Sequence, residues 1–307
     1  MRIAITGATG FVGRYIVRHL AQAGHSLRCW YRPSSDRGGF EDAGGAVEWQ
    51  PGNLVDHQAP AALVRGVDAV VHAALQWQRR GSFRASGQDD LEDFLKANFL
   101  GSLRLFQAAR AAGVGRFIFI STCAVHEIIL GDRPLDETHP LWPTSHYGAH
   151  KAALEKFVHS FGFGEGWPIC ALRPTGVYGL AHPARQSRWY DLVGQVMRGE
   201  AIHSERGGKE VHAADVSRAV EVLLHADDKA ITGQAFNCYE RYIAEQEVAR
   251  IAREMTGSSS TIADVNKGPK NQIVTDKIRA LGMRFGGEPL LRQTIAELVQ
   301  AHRRQAT

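Results

Sequence analysis

In "SHYGAHKAALEK" (145–156), Tyr147 and Lys151 are spaced i,i+4, so a helix places both side chains on one face. An ammonium beside a phenol favours the phenolate. It lowers a pKa that ordinarily lies near ~10, and the phenol becomes a proton-transfer group at neutral pH. The same spacing on an ordinary surface helix gives only a half-buried tyrosine beside a solvated lysine. The pair has chemical meaning only where other elements bring a cofactor and a substrate oxygen to it.

A cofactor cradle stands at the start of the chain. "RIAITGATGFVGRYIVRHLAQAG" reads as a short apolar strand, a glycine-rich turn, and a helix with Val12, Ile16, Val17 and Leu20 at helical spacing. Gly7, Gly10 and Gly13 form G-x-x-G-x-x-G. The glycines permit a tight turn, close approach of a pyrophosphate, and packing of helix on strand. Amide groups and the dipole at the helix start then attract phosphate. Gly7, Thr9, Gly10, Phe11, Val12 and Gly13 are therefore the expected dinucleotide contacts.

The second strand, "HSLRCWYRPSSD", ends in Tyr31 and Arg32 where an NAD site calls for a carboxylate to accept from the ribose hydroxyls. The first acid, Asp36, is already in the loop. A cation with two nearby serines suits a 2′-phosphate, so NADP is favoured over NAD as the cofactor. The bland alternative is that Arg32 merely stacks on the adenine.

Composition is consistent with this reading. The 307 residues are 44% apolar and 22% charged, with a formal net charge of +4. That length buries a sizeable core, as one large domain or two lobes. The basic residues are scattered, which argues against a nucleic-acid partner; the mild positive balance would suit an anionic small-molecule substrate but does not require one. Cys29, Cys123, Cys170 and Cys238 are far apart, so neither zinc nor a disulfide framework is indicated and a reducing, cytoplasmic setting is expected. The chain starts in a strand without a charged-then-apolar leader, and no run reaches the ~18 apolar residues of a membrane span. The 14 histidines are scattered along the chain and form no carboxylate-bearing cluster, so no metal is expected.

Strand and helix patterns then alternate. "AVEWQPGNL" reads as a third strand, "DAVVHAAL" as a fourth, "LEDFLKANFLGSLRLFQAARAAG" as one long helix and "RFIFIST" as a fifth strand. The helix of Tyr147 follows, then the strand "PICALRPTGVYG". Short apolar strands between helices predict a parallel, doubly wound sheet, whose ligands bind at the strands' carboxyl ends. Asn53, Leu54, His72, Ala73, Ala74, Ser121, Thr122, Pro174 and Thr175 sit at such ends. "VHAADVSRAVEVLLHA" and "GQAFNCYE" read as a return to the main sheet. The expected domains are 1–174 plus about 211–238 for the cofactor, and about 175–210 plus 239–307 for a smaller, discontinuous substrate lobe.

The ordered set "TGATGFVG", "GNLVD", "VDAVVHAA", "KANFLGSLRLFQAARAAGVGRFIFIST", "YGAHK", "LRPTGVYG", "VHAADVSRAV", "GQAFNCYE" and "TDKIRALGMRF" resembles the extended short-chain dehydrogenase/reductase superfamily, in its NAD(P)-dependent epimerase/dehydratase branch. The likeness covers nearly the whole chain. It implies a Rossmann-type α/β fold and an oxidoreductase or epimerase acting on a hydroxyl or carbonyl of a sugar or nucleotide-sugar. It also implies Thr122, Tyr147 and Lys151 as the catalytic set. Tyr147 would exchange a proton with the substrate oxygen while hydride passes to or from the nicotinamide. Lys151 would hold the nicotinamide ribose, Thr122 would bond the same substrate oxygen, and Asn98 would shape the site behind the lysine. Asn98 reads equally well as a helix-interior polar residue bonded to backbone. A homodimer is compatible with the resemblance.

Departures from the family pattern narrow the chemistry. Cys123 and Ala124 replace the Asp-Glu pair of sugar 4,6-dehydratases, so the acid and base for water elimination are missing. His126 stands where the pattern has tyrosine. Pro174-Thr175-Gly176 replaces an asparagine that contacts a nucleotide diphosphate, which leaves open a reductase of a non-sugar ketone. A catalytically silent cofactor-binding protein is disfavoured by the intact Thr122, Tyr147 and Lys151. Trp77, with Arg79, Arg80 and Arg84, forms either a lid over an anionic substrate or a solvated loop. Cys123, Thr175, Arg185 and Trp189 complete the expected substrate contacts, with Arg185 and Arg188 either binding a phosphate or carboxylate or lying on plain surface.

Overall fold

The computed structural model describes residues 1–76, 85–264, 268 and 270–305; Trp77, Arg79, Arg80 and Arg84 lie outside the described residues. In chain order the elements are β1 Arg2–Thr6, α1 Phe11–Gln22, β2 Ser26–Tyr31, β3 Val47–Pro51, α2 Ala59–Val64, β4 Ala69–His72, α3 Leu91–Leu95, α4 Gly101–Ala111, β5 Arg116–Ile120, α5 His146–His159 and β6 Ile169–Pro174. They are followed by β7 Gly176–Tyr178, α6 Tyr190–Met197, β8 Gly207–His212, α7 Ala213–His225, α8 Asp228–Ile231, β9 Ala235–Cys238, β10 Arg241–Ala244, α9 Glu245–Thr256, α10 Asp276–Ala280 and α11 Gly287–Gln305.

Two units divide the chain. The first is Met1–Pro174, Val216–Cys238 and Ile273–Met283. It holds a seven-stranded sheet in the order β3-β2-β1-β4-β5-β6-β9 with every pairing parallel. This is a Rossmann-type, doubly wound sheet, and its strand order reverses between β1 and β4, where such sheets take their ligands. Parallel strands covered on both faces by helices must be apolar on both sides, and β5 shows this: Phe117, Ile118 and Phe119 are fully buried. Each such side chain contributes about 1.5–3 kcal/mol on burial.

Two expectations fail here for physical reasons. The helix read over residues 91–113 is interrupted at Lys96–Leu100 by a π turn, which α3 and α4 flank. At its centre the Asn98 side chain bonds backbone, which spreads the helical ladder. The run "PICALRPTGVYG" is two strands: β6 belongs to the main sheet, whereas β7 pairs with β8.

The second unit is Thr175–Asp215, Tyr239–Gln272 and Arg284–Thr307. It holds a three-stranded sheet, β10-β8-β7, and a core of Tyr178, Val193, Val196, Ile243, Val248, Ile251, Leu291, Ile295 and Leu298. The segment before α7, read as a return to the main sheet, is β8 of this smaller sheet; β9 is the strand that rejoins the main one. Ile273–Met283, placed in the second lobe by the sequence reading, belongs to the first unit. Ile273 bridges Leu135, and Lys277 of α10 donates to Gln234 at 2.6 Å. No described helix is long and apolar enough to cross a membrane.

Candidate active site

The β1–α1 turn is closed so tightly that only glycine fits. Gly7 has φ +71°, and a Cβ on it would lie 2.7 Å from the Ala73 carbonyl; one on Gly13 would lie 2.0 Å from the Gly7 oxygen. Gly10 caps α1 without any side-chain bond, so the helix's first amides are left to another acceptor. A bare backbone concavity at a helix start, at the sheet's switch point, fits a dinucleotide pyrophosphate. Phe11 and Val12 are half-buried on the first turn. The Thr9 carbonyl accepts from Arg14, a buried residue that sequence reading missed. The Arg14 guanidinium also donates to the Asp36 and Gly38 carbonyls at 2.7 and 2.6 Å, tying this turn to the loop after β2.

At the end of β2, Tyr31 is half-buried and Arg32 exposed. Arg37, another residue not singled out, stacks over the Tyr31 ring at 4.3 Å. The Asp36 carboxylate accepts from the Gly38 amide at 2.9 Å and lies 3.7 Å from Arg14. The strand end thus presents two guanidinium groups, and its nearest acid is engaged elsewhere. Asn53 accepts from the Val55 and Asp56 amides, and Leu54 is buried with its carbonyl against Gly101. Ala73 and Ala74 are half-buried, and the Ala74 amide donates to Thr6 Oγ1.

His72 stands at a strand end, where a side chain is expected to line the cofactor. Its ring instead braces the interior: Nδ1 lies 2.6 Å from Thr6 Oγ1 and Nε2 2.8 Å from Ser102 Oγ. Burial, and then the charges of Lys151 and His150, push its pKa down to about 3, so it is neutral. Asn98 accepts from the Gln76 amide and donates to the carbonyls of Gln76 and Phe94. It fixes the backbone that follows β4.

The segments that carry Thr122 and Tyr147 pack together through another glycine. A Cβ on Gly148 would lie 2.6 Å from the Ala124 carbonyl and 2.7 Å from Pro143 Cβ. Its absence lets the start of α5 pack on the short 3-10 turn Cys123–Val125, which Thr122 caps by accepting from the Ala124 amide at 3.1 Å. Ser145 caps α5 by accepting from Gly148, and the Glu127 carboxylate receives the amides of Thr144 and Ser145. Tyr147 is half-buried, and Lys151 is 4% exposed. The Lys151 ammonium donates to the Ile120 carbonyl at 2.8 Å and sits 4.5 Å above the Phe119 ring. Burial lowers its pKa to about 7, against the opposing pull of Glu155. His150 packs edge-on against Phe94 and beside Tyr147; burial, followed by the Lys151 charge, drops its pKa to about 3.

A buried charge network lies one turn beyond Lys151, and sequence reading missed it. Arg173 on β6 donates to both oxygens of Glu155 on α5, at 2.6 and 3.0 Å to Oε2 and 3.1 Å to Oε1. Ser121 Oγ donates to Glu155 Oε1. Arg173 also meets His126 Nε2 at 3.2 Å, while His126 Nδ1 lies 3.2 Å from the Pro140 carbonyl. Burial, then the Arg173 charge, lowers the His126 pKa to about 4. Cys123 Sγ donates to the Arg173 carbonyl, and Pro174 is buried at the end of β6. The signal was present: Tyr147, Lys151 and Glu155 recur at i, i+4 and i+8.

In the second unit, Arg185 is exposed, whereas Trp189 is buried in left-handed backbone, φ 65°, against Tyr178. Thr175 has a buried hydroxyl without a hydrogen-bond partner. A polar cavity of about 800 Å³ in this unit is lined by Arg188, Trp189, His203, Glu205, Arg206 and Glu245 among others. Arg188, rather than Arg185, faces it. Among the described residues no group of three or more His, Cys, Asp or Glu is arranged to hold a metal.

Comparison with known proteins bears on this site. The chain is 30% identical over 203 residues to a 3 beta-hydroxysteroid dehydrogenase/Delta 5→4-isomerase of Mycobacterium tuberculosis, covering 64% of this chain and 52% of that protein. It is 30% identical over 235 residues to the dTDP-D-glucose 4,6-dehydratase of Homo sapiens, covering 71% of this chain and 64% of that one. The chain thus spans about half to two-thirds the length of these curated relatives. A solved UDP-glucose-4-epimerase from Stenotrophomonas maltophilia, with bound NAD, superimposes with a TM-score of 0.80 at 21% identity, covering 100% of this chain and 99% of that one. That likeness establishes the fold. The model of the NAD dependent epimerase/dehydratase family matches residues 3–238, which include the glycine turn, Thr122, Tyr147 and Lys151, and the chain belongs to that family.

Proposed function

We propose that the protein is an NAD(P)-dependent oxidoreductase or epimerase that moves hydride at a carbinol or carbonyl carbon of a sugar or nucleotide-sugar, with Tyr147 as acid and base. The observation that carries this is the burial of Lys151 one turn after Tyr147, on a helix packed against the turn that holds Thr122. The nicotinamide, when bound, supplies or accepts the hydride. Tyr147 passes a proton to or from the substrate oxygen, Thr122 Oγ1 bonds that oxygen, and the Lys151 ammonium favours the phenolate and holds the ribose. Gly7, Gly10 and Gly13 seat the pyrophosphate. Arg32 and Arg37, with no free carboxylate between them, support NADP over NAD. Cys123, which donates to the β6 backbone, supplies no acid or base, so water elimination is not part of the reaction.

A second substrate class is favoured by a separate observation. The loop joining Thr122 to Tyr147 exposes Ile128 (51%) and Trp142 (46%), and the Ile128 N–H donates a hydrogen bond to the Trp142 carbonyl. An apolar pair between two candidate catalytic residues suits a lipophilic alcohol or ketone, the class named by the mycobacterial relative. The test is a panel of UDP-glucose, UDP-N-acetylglucosamine, dTDP-glucose and 3β-hydroxysteroids with NAD and NADP, read by reduced-cofactor absorbance and product chromatography. Tyr147→Phe should lose about 100- to 10,000-fold in turnover while still binding cofactor. A folded, cofactor-bound Tyr147→Phe protein with wild-type turnover overturns the reading. Formation of a 4-keto-6-deoxy sugar from dTDP-glucose refutes the exclusion of dehydration.

A further inference from the structure

We propose that Glu155 is a positioning residue of this reaction: anchored by Arg173, its carboxylate ties α5 to the ends of β5 and β6 and keeps Lys151 an ammonium at a buried position. The proposal rests on the assignment of Tyr147 and Lys151 above and adds the group that makes their arrangement tenable.

The geometry supports it from three sides. Glu155 is fully buried and lies one helical turn from Lys151 on the same face of α5. Its Oε1 receives the Ser121 hydroxyl, and Ser121 immediately precedes Thr122 in the chain. Its Oε2 receives Arg173 from β6 at 2.6 Å, and the Arg173 carbonyl receives Cys123, the residue after Thr122. Both neighbours of Thr122 are thus tied to the Glu155–Arg173 pair, while Lys151 bonds the Ile120 carbonyl two residues earlier. A change at Glu155 moves the threonine and the lysine together.

The charges around Lys151 show why a carboxylate is needed. His150 and Glu155 face it from α5, His72 from β4, and the Phe119 ring and Ile120 carbonyl from β5. Both histidines are held neutral by burial, and the Tyr147 phenol one turn before Lys151 is the group to be ionised, which leaves Glu155 as the standing negative charge among these groups. Arg173 neutralises part of that charge but fixes its place. A lone buried ammonium would otherwise shed its proton and with it the pull on the Tyr147 phenol.

The test separates charge from shape. Glu155→Gln keeps the reach to Ser121 but removes the charge. It also leaves Arg173 buried without its partner, and such a change can prevent folding. The double variant Glu155→Leu with Arg173→Met replaces the pair by apolar side chains, an exchange that buried ion pairs commonly tolerate. Glu155→Asp keeps the charge at shorter reach. Two readouts are followed across pH: the Lys151 titration, by NMR of isotope-labelled lysine side chains assigned with Lys151→Met, and NADH affinity, by fluorescence. In folded charge-free variants the Lys151 midpoint should fall by about one unit or more, a tenfold change in its ionisation constant, and the loss of NADH affinity should move to lower pH with it. Glu155→Asp should stay near wild type in both. A folded charge-free variant with the wild-type Lys151 midpoint and NADH profile overturns the proposal. Wild-type turnover by Tyr147→Phe instead overturns the reaction assigned above, and leaves the Glu155–Lys151 result standing.

Discussion

Replacing Lys151 by methionine should disable the site and, near neutral pH, relieve the fold. In the native chain the ammonium is buried and its pKa is lowered from 10.5 to about 7, chiefly by desolvation. In the unfolded chain it titrates near its ordinary value. Between these two values the unfolded state binds more protons than the native one, so this group's contribution to stability rises with pH across that window. The stability is present in full above the unfolded value. It is lost as pH falls, and fully lost below the folded value. At pH 7 the shift corresponds to about 4 kcal/mol of destabilisation. The bond to the Ile120 carbonyl and the contact with the Phe119 ring oppose the shift, which puts the expected range at about 2 to 4 kcal/mol. Denaturant unfolding of wild type and Lys151→Met at pH 7 and pH 10 measures it. The variant should gain on the wild type at pH 7 by about 2 to 4 kcal/mol more than at pH 10, while NADH binding weakens sharply. Parallel stability curves for the two proteins across this range would refute the reasoning.

Three further outcomes follow from the same geometry. Arg32→Ala and Arg37→Ala should each weaken NADPH binding by about 10- to 100-fold and leave NADH nearly unchanged; equal losses for both cofactors count against a 2′-phosphate contact. Gly13→Ala places a Cβ 2.0 Å from the Gly7 oxygen, so a variant that folds should lose NADH binding, and wild-type affinity by fluorescence titration would show that the turn is not the cradle. His72, His126 and His150 are held neutral down to about pH 3, 4 and 3, whereas the unfolded chain protonates them near 6.5. Stability should therefore fall as pH drops below 6.5, by up to about 4 kcal/mol per unit, and His126→Gln should flatten that fall by about a third.

The parts of the molecule that were legible in the sequence are those where one physical demand acts alone. Only a tight turn against two backbones explains Gly7 and Gly13, and only a strand covered on both faces explains "RFIFI". The less legible parts are those where two demands compete. Asn98 reads as an ordinary helical residue until its amide is found bonding Gln76 and opening a π turn. "RPTGVYG" reads as one strand because β-branched residues continue past Pro174, yet the chain changes sheets there. His72 has the position of a ligand contact and the partners of a core residue. Arg14, Glu155 and Arg173 were passed over because charge ordinarily marks surface; each is buried, with its polar atoms bonded to groups far away in sequence.

Two of those buried charges, Glu155 and Arg173, also explain how a site of the proposed kind coexists with a stable sheet. A phenol that must ionise near neutrality needs a cation beside it, and a cation in a dry site is costly unless something answers it. Placing Tyr147, Lys151 and Glu155 at successive turns of one helix solves the spacing with a single element, since the helix rises about 6 Å between them. Glu155 then has to be answered in turn, and Arg173 does so from the neighbouring strand, with His126 kept as an uncharged acceptor at its far side. A protonated His126 would set two cations against each other at 3.2 Å. The position therefore requires a ring that stays neutral, which its burial beside Arg173 secures. The charge alternation from phenol to ammonium to carboxylate to guanidinium thus links the chemistry at the mouth of the sheet to the packing of β5, α5 and β6 behind it.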